Sequence, residues 1–299
     1  MTPHGRGGPT AAVATLLLVL AACRGGGDGA EVSSPAPPGQ PAPQAAATTT
    51  TVATTTAAAA AGPPQAAATP EELATQLTAV ETAIRNPATP AADLARLGHT
   101  QQVAAGALSR HPEWDATVLP LLPAAVRPSV EANVAASRDL RVLSSGEPRG
   151  LPKWRIVAPP AAPDLLNEYK SAEATTGVGW QYLAAIHLVE SRMGRIRGDS
   201  SAGAQGPMQF LPSTWAAYGG GGDINSYHDS ILAAARYLKA NGAPANMDNA
   251  LFRYNPSNPY VRAIQAYAGQ MKADERAYLG YYHWQVYYFE TWLPEGWVG

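Results

Sequence analysis

Every aromatic residue except Trp114 lies at or beyond Trp154, so the only substantial aromatic core this chain can build is C-terminal. Ahead of it, residues 24–69 are almost wholly Ala, Thr, Pro and Gly, a composition that buries too little apolar surface to repay the entropy of ordering. The 299 residues therefore divide unequally: a leader over 1–22, a disordered tether over 23–69, a small helical module over 70–145, a Pro- and Gly-rich connector over 146–163, and the main domain over 164–299. A formal net charge of −2 supplies no basic surface, which excludes nucleic acid as a partner.

The periodicity is helical throughout, and the expected fold class is mainly α. Thr69-Pro70-Glu71-Glu72 offers an N-cap, a first-turn proline and a capping acid together, and Leu73, Leu77, Val80 and Ile84 follow at helical spacing. Thr89-Pro90 starts a second helix, Gln101 to Arg110 reads as a third, and Trp114 to Leu143 gives short helices punctuated by prolines. Further helices are expected from Leu165 to Gly177, from Trp180 to Gly194, from Pro212 to Gly219, over Ile231 to Leu238, over Asn246 to Tyr254 and over Pro259 to Lys272. The segment Asp223 to Asp229 is rich in oxygen donors but lacks the spacing and the closing Glu of a calcium loop, so N-capping by Ser226 or Asp229 is expected there. The aromatic run Tyr281 to Phe289 is expected to pack over the helical core, with one or two rings left for sugar.

Chemistry concentrates between Trp180 and Trp215. Glu190 follows Ile186 by four positions, so its carboxylate leaves an apolar helix beside the buried face, where it must find a partner or stay protonated. Arg192 and Arg195 are the nearest candidate partners. A run containing Gly198, Gly203 and Gly206 then lets the backbone fold tightly before Met208-Gln209-Phe210. His187, three residues before the acid, is expected to be a hydrogen-bonded structural histidine.

Three segments in order, Glu190-Ser191, Gly203-Ala204-Gln205-Gly206-Pro207-Met208-Gln209 and Arg253-Tyr254-Asn255, resemble the signatures of the soluble lytic transglycosylase and goose-type lysozyme family. The resemblance implies a lysozyme-like helical catalytic domain acting on peptidoglycan glycan strands, with no cofactor and no metal. It implies Glu190 as the catalytic acid and base, Tyr254 as its hydrogen-bond partner, and Ser191, Gly206, Met208, Gln209 and Asn255 as residues that bind saccharide or shape the pocket. Most glycosidases need two carboxyl groups, and these signatures supply one; Asp199, Asp223 and Asp229 are the other acids near it in sequence. Cleavage with formation of a 1,6-anhydromuramyl end needs only one. Hydrolysis as in goose-type lysozymes, and a wall-binding protein without turnover, are the competing implications. Pro207, Arg253 and Pro256 depart from the usual residues of these signatures.

Cys23 is the only cysteine, which rules out an internal disulfide. It follows a short apolar run from Ala11 to Ala22, too short to remain as a membrane span, and Leu20-Ala21-Ala22-Cys23 resembles a lipobox. That resemblance implies a lipoprotein signal peptide, lipid on Cys23, and a place at the outer face of the cytoplasmic membrane.

Overall fold

The computed structural model describes residues 62–144 and 150–299; the leader, Cys23, the tether through residue 61 and residues 145–149 of the connector lie outside them. The first helix, α1 (Pro70–Arg85), starts where local chemistry dictates: Thr69 Oγ1 accepts from the Glu72 amide at 3.3 Å. The following α2 (Ala91–Arg110) runs unbroken through the two helices expected over this stretch. A Cβ at Gly98, inside α2, would come within 2.5 Å of the Gly280 carbonyl oxygen, so the glycine serves a close helix crossing.

After a 3-10 turn (Pro112–Trp114), α3 (Asp115–Leu121) and α4 (Arg127–Leu143) complete the N-terminal helices. Leu73, Leu77, Leu108, Val118 and Val130 are fully buried among them. A short strand β1 (Arg155–Ile156) leads into α5 (Ala162–Thr176), which Gly177 closes in the left-handed conformation at φ +80°.

The next helix, α6 (Trp180–Ser191), is buried on every side over residues 183–191, so the core of the molecule surrounds it. It ends at Ser191, three residues before the expected Gly194. Arg192 and Met193 already adopt left-handed φ of 54° and 58°, and the Met193 amide reaches back to the His187 carbonyl at 3.1 Å. Gly194 continues the turn at φ +81°, where any Cβ would lie 2.3 Å from the Tyr227 ring.

The remaining order is β2 (Ile196–Arg197), α7 (Pro212–Tyr218), α8 (Tyr227–Ala240), α9 (Met247–Tyr254), α10 (Asn258–Ala273), α11 (Arg276–Tyr282), β3 (Val286–Tyr288) and β4 (Thr291–Leu293). The strands form two small antiparallel ribbons, β1 with β2 (Ile156 opposite Ile196) and β3 with β4 (Tyr287 opposite Trp292). Trp154, Ile156, Ile196, Val286, Tyr288 and Leu293 pack the ribbons together. Ser226 caps α8 by accepting from the Asp229 amide at 3.2 Å, and Asp229 accepts from the Asp223 amide at 3.0 Å, so the oxygen-rich segment shapes a turn.

The C-terminal aromatics do pack inward: Tyr278, Tyr281 and Trp284 are sealed, and Tyr281 and Trp284 meet edge-on at 5.1 Å. Helices dominate the described residues, and Pro64 to Gly299 cluster into one compact unit. Arg262 on α10 makes a forked ion pair with Asp139 on α4, tying the N-terminal helices to the helix that supplies the acid's partner, as the site shows.

Candidate active site

Glu190 sits in the last turn of α6 and is 5 % exposed. Burial pushes its carboxyl pKa up to about 8, against the opposing pull of one hydrogen bond from Tyr260. Neither nearby arginine neutralises it. Arg192 donates to the Leu188 carbonyl at 3.1 Å, and Arg195 donates to the carbonyls of Trp284 at 3.2 Å and Tyr282 at 3.0 Å. Among the described residues no ion pair involves Glu190. A carboxyl group left in this state holds its proton at neutral pH and is poised to give it away.

The acid's hydrogen-bond partner is Tyr260, whose hydroxyl donates to Glu190 Oε1 at 2.8 Å. The expected partner, Tyr254, instead donates to the Met208 carbonyl at 2.6 Å. Both phenols have pKa values raised well above 10, by burial first and then by the charge of Glu190, so both lie close to the acid. The correction has a simple origin: Tyr254 is the last residue of α9, while Tyr260 is in the first turn of α10, and the turn between them brings both rings to the same place.

The Gly-rich loop is pinned at two successive carbonyls. Ser191 donates to the Pro207 carbonyl at 2.5 Å, and Tyr254 donates to the Met208 carbonyl. The three signature segments, distant in sequence, are thereby joined through the loop backbone. Ser191 and Met208 have no exposed surface in this structure. Gly206 holds φ +74°, and a Cβ there would lie 2.0 Å from the Ile224 carbonyl oxygen, which only glycine avoids. Gln209, partly exposed, takes a left-handed φ of 52° and donates to the Gly206 carbonyl at 2.9 Å; paired backbone bonds between Gln205 and Phe210 close the turn. Asn255, 1 % exposed, ends α9.

The other acids are engaged in local turns: Asp199 accepts from Gln205 at 3.2 Å, and Asp223 accepts from the Asn225 amide at 2.9 Å. No second carboxylate contributes to the raised Glu190 pKa. His187 is fully buried with its Nδ1 2.6 Å from the Tyr169 hydroxyl, and burial lowers its pKa to about 3, so it is a neutral structural group. Among the described residues no group of three His, Cys, Asp or Glu is arranged to hold a metal ion.

Tyr260 gives a direct test of this geometry. Its hydroxyl stabilises the ionised acid, so Tyr260→Phe is expected to raise the Glu190 pKa by about one further unit, a hydrogen bond to a charged group being worth roughly 1.5–3 kcal/mol. The titration profile of the Glu190 carboxyl, followed by carbon-13 NMR of the labelled side chain, should move to higher pH by that amount. A profile superimposable on that of the parent would show that the hydroxyl does not set the acid.

One curated protein is similar to part of this chain. The stretch shares 35% identity over 80 residues with the Membrane-bound lytic murein transglycosylase F of Thiobacillus denitrificans (strain ATCC 25259 / T1). The match supports the lytic transglycosylase family. It covers 27% of this chain and 17% of that protein, so the chain spans under a fifth of the length of the relative it matches. No protein-family profile matches the chain, and no solved structure matches it.

Proposed function

We propose that the protein is a peptidoglycan lytic transglycosylase with Glu190 as its single acid and base. The observation that carries this reading is a buried carboxyl with a pKa of about 8 and, among the described residues, no ion pair and no second carboxylate acting on it. The partial similarity to a lytic murein transglycosylase supports the substrate class. One acid suffices when the substrate supplies its own nucleophile, and an N-acetylmuramyl residue carries both an acetamido group and a C6 hydroxyl.

Protonated Glu190 gives its proton to the oxygen joining N-acetylmuramic acid to N-acetylglucosamine, and the bond from C1 to that oxygen breaks. The acetamido carbonyl stabilises the electron-poor C1. The C6 oxygen then bonds to C1 while its proton passes to the carboxylate, which restores the acid without consuming water. Tyr260 holds the carboxyl during both transfers, and Tyr254 with Ser191 fixes the loop that borders it. Membrane attachment through Cys23 belongs to the same proposal; it is supported by the lipobox-like Leu20 to Cys23 and by the relative's description as membrane-bound. No described helix is long and apolar enough to cross a membrane.

The product decides the chemistry. Sacculi digested with the purified protein should yield 1,6-anhydromuramyl ends by mass spectrometry. Reducing ends alone would replace this reading with hydrolysis, and intact strands would leave no catalysis to explain.

A further inference from the structure

Five aromatic rings run in an arc from the loop beside Glu190 to α7 and back. Phe210 packs on Tyr254 at 5.8 Å and on Trp215 at 5.7 Å. Tyr254 meets Tyr237 edge-on at 5.6 Å, and Tyr237 meets Tyr218 at 4.9 Å. Trp215 and Tyr218 stand three residues apart on α7, so they share a face and the arc closes on one helix turn. At the middle of the arc is Tyr254, the ring that feels the charge of Glu190.

The inner rings and the outer rings differ. Phe210, Tyr237 and Tyr254 are buried, whereas Trp215 and Tyr218 keep part of their surface in solvent. Gly219 makes room for the indole, since a Cβ there would come within 2.5 Å of Trp215 Cε2. Among the described residues neither the Trp215 indole N–H nor the Tyr218 hydroxyl has a hydrogen-bond partner, and neither is sealed in, unlike the buried indole nitrogen of Trp292. Two half-exposed rings are thus backed by three rigid ones and offer unused donors at their edges.

We propose that Trp215 and Tyr218 form a stacking subsite for an uncharged pyranose ring of the glycan strand, away from the bond cleaved at Glu190. The proposal rests on the peptidoglycan reading above. A pyranose presents an apolar face of C–H groups to an indole while its hydroxyl and acetamido oxygens accept from N–H and O–H donors at the ring edge. The backing rings hold Trp215 in place before the sugar arrives, which removes an ordering cost from binding.

The test uses the full chain and soluble glycan strands of graded length prepared from sacculi. Trp215→Ala should raise KM on long strands about tenfold with a smaller change in kcat, and the effect should shrink on strands too short to reach α7. Trp215→Leu, which keeps apolar packing on Phe210 but offers no flat ring, should behave alike and covers the case in which the alanine variant does not fold. Tyr218→Phe should show a smaller rise of the same kind. Parent-like KM values in folded Trp215 variants, with the parent cleaving normally, would overturn the subsite and leave the proposed function intact. If the parent cleaves nothing, calorimetry of the same strands on the parent and on Trp215→Leu separates the two ideas: binding lost in the variant keeps the subsite, and equal binding or none removes it.

Discussion

Glu190→Gln should lose glycan cleavage by about 10³-fold or more at pH 7 while unfolding at a higher temperature than the parent. The loss follows because glutamine neither gives nor takes a proton, and among the described residues no second carboxylate acts on Glu190. The gain follows from the same burial that makes the acid useful. In the unfolded chain the carboxyl ionises near its ordinary value of 4.5, whereas in the folded protein it keeps its proton up to about 8. Between those values the unfolded state has released a proton that the folded state retains, so parental stability falls as pH rises through that window, by 1.36 kcal/mol per unit. At pH 7 the accumulated penalty is about 3 kcal/mol, and glutamine does not incur it. Parent and variant should therefore melt together at pH 4, diverge from pH 5 to 8, and keep a constant gap above that. Equal melting temperatures at pH 4 and pH 8 would mean that Glu190 is not desolvated, and the proton-donor account would fall with it.

The acid and its loop were legible in the sequence because their chemistry is local. An acid on an apolar helix, followed within twenty residues by the glycines of a tight turn, carries its meaning in neighbouring positions. Tyr254 was legible only through resemblance, and its partner was misread. Tyr260 escaped altogether because its bond to Glu190 spans 70 positions, and nothing local marks a tyrosine in the first turn of an amphipathic helix as reaching an acid. The hairpin of β3 and β4 was hidden because Tyr287, Tyr288 and Trp292 satisfy a packing pattern in either helix or strand. What distant partners decide, single-chain periodicity does not record.

A buried network around Glu81 should decide whether the N-terminal helices and the C-terminal helices unfold as one body. Glu81, 1 % exposed on α1, accepts from Gln101 on α2 and Asn133 on α4, each at 2.9 Å, and pairs with Arg85. Those partners reach across to the C-terminal helices: Asn133 accepts from Tyr281 at 2.6 Å, Gln101 accepts from Trp284 at 3.0 Å, and Arg85 donates to Gln270 at 3.1 Å. Every donor and acceptor named here is engaged, and α1, α2 and α4 are joined to α10, α11 and Trp284. Glu81→Ala removes the acceptor for two buried donors, Gln101 and Asn133, and for the partly exposed Arg85, so it is expected to cost about 3 kcal/mol, the lower end for a broken buried pair because the Arg85 side chain is 20% exposed. The loss should lower the denaturation midpoint of the whole described unit. Far-ultraviolet dichroism, which follows all the helices, and tryptophan fluorescence, which mainly follows the C-terminal part, should shift together in one transition. Because α4 braces α10, and α10 carries Tyr260, cleavage should disappear across that same transition and not before it. Two separated transitions, with fluorescence unmoved by the substitution, would show that residues 70–145 fold apart from the catalytic domain and that the Glu81 network joins nothing of consequence.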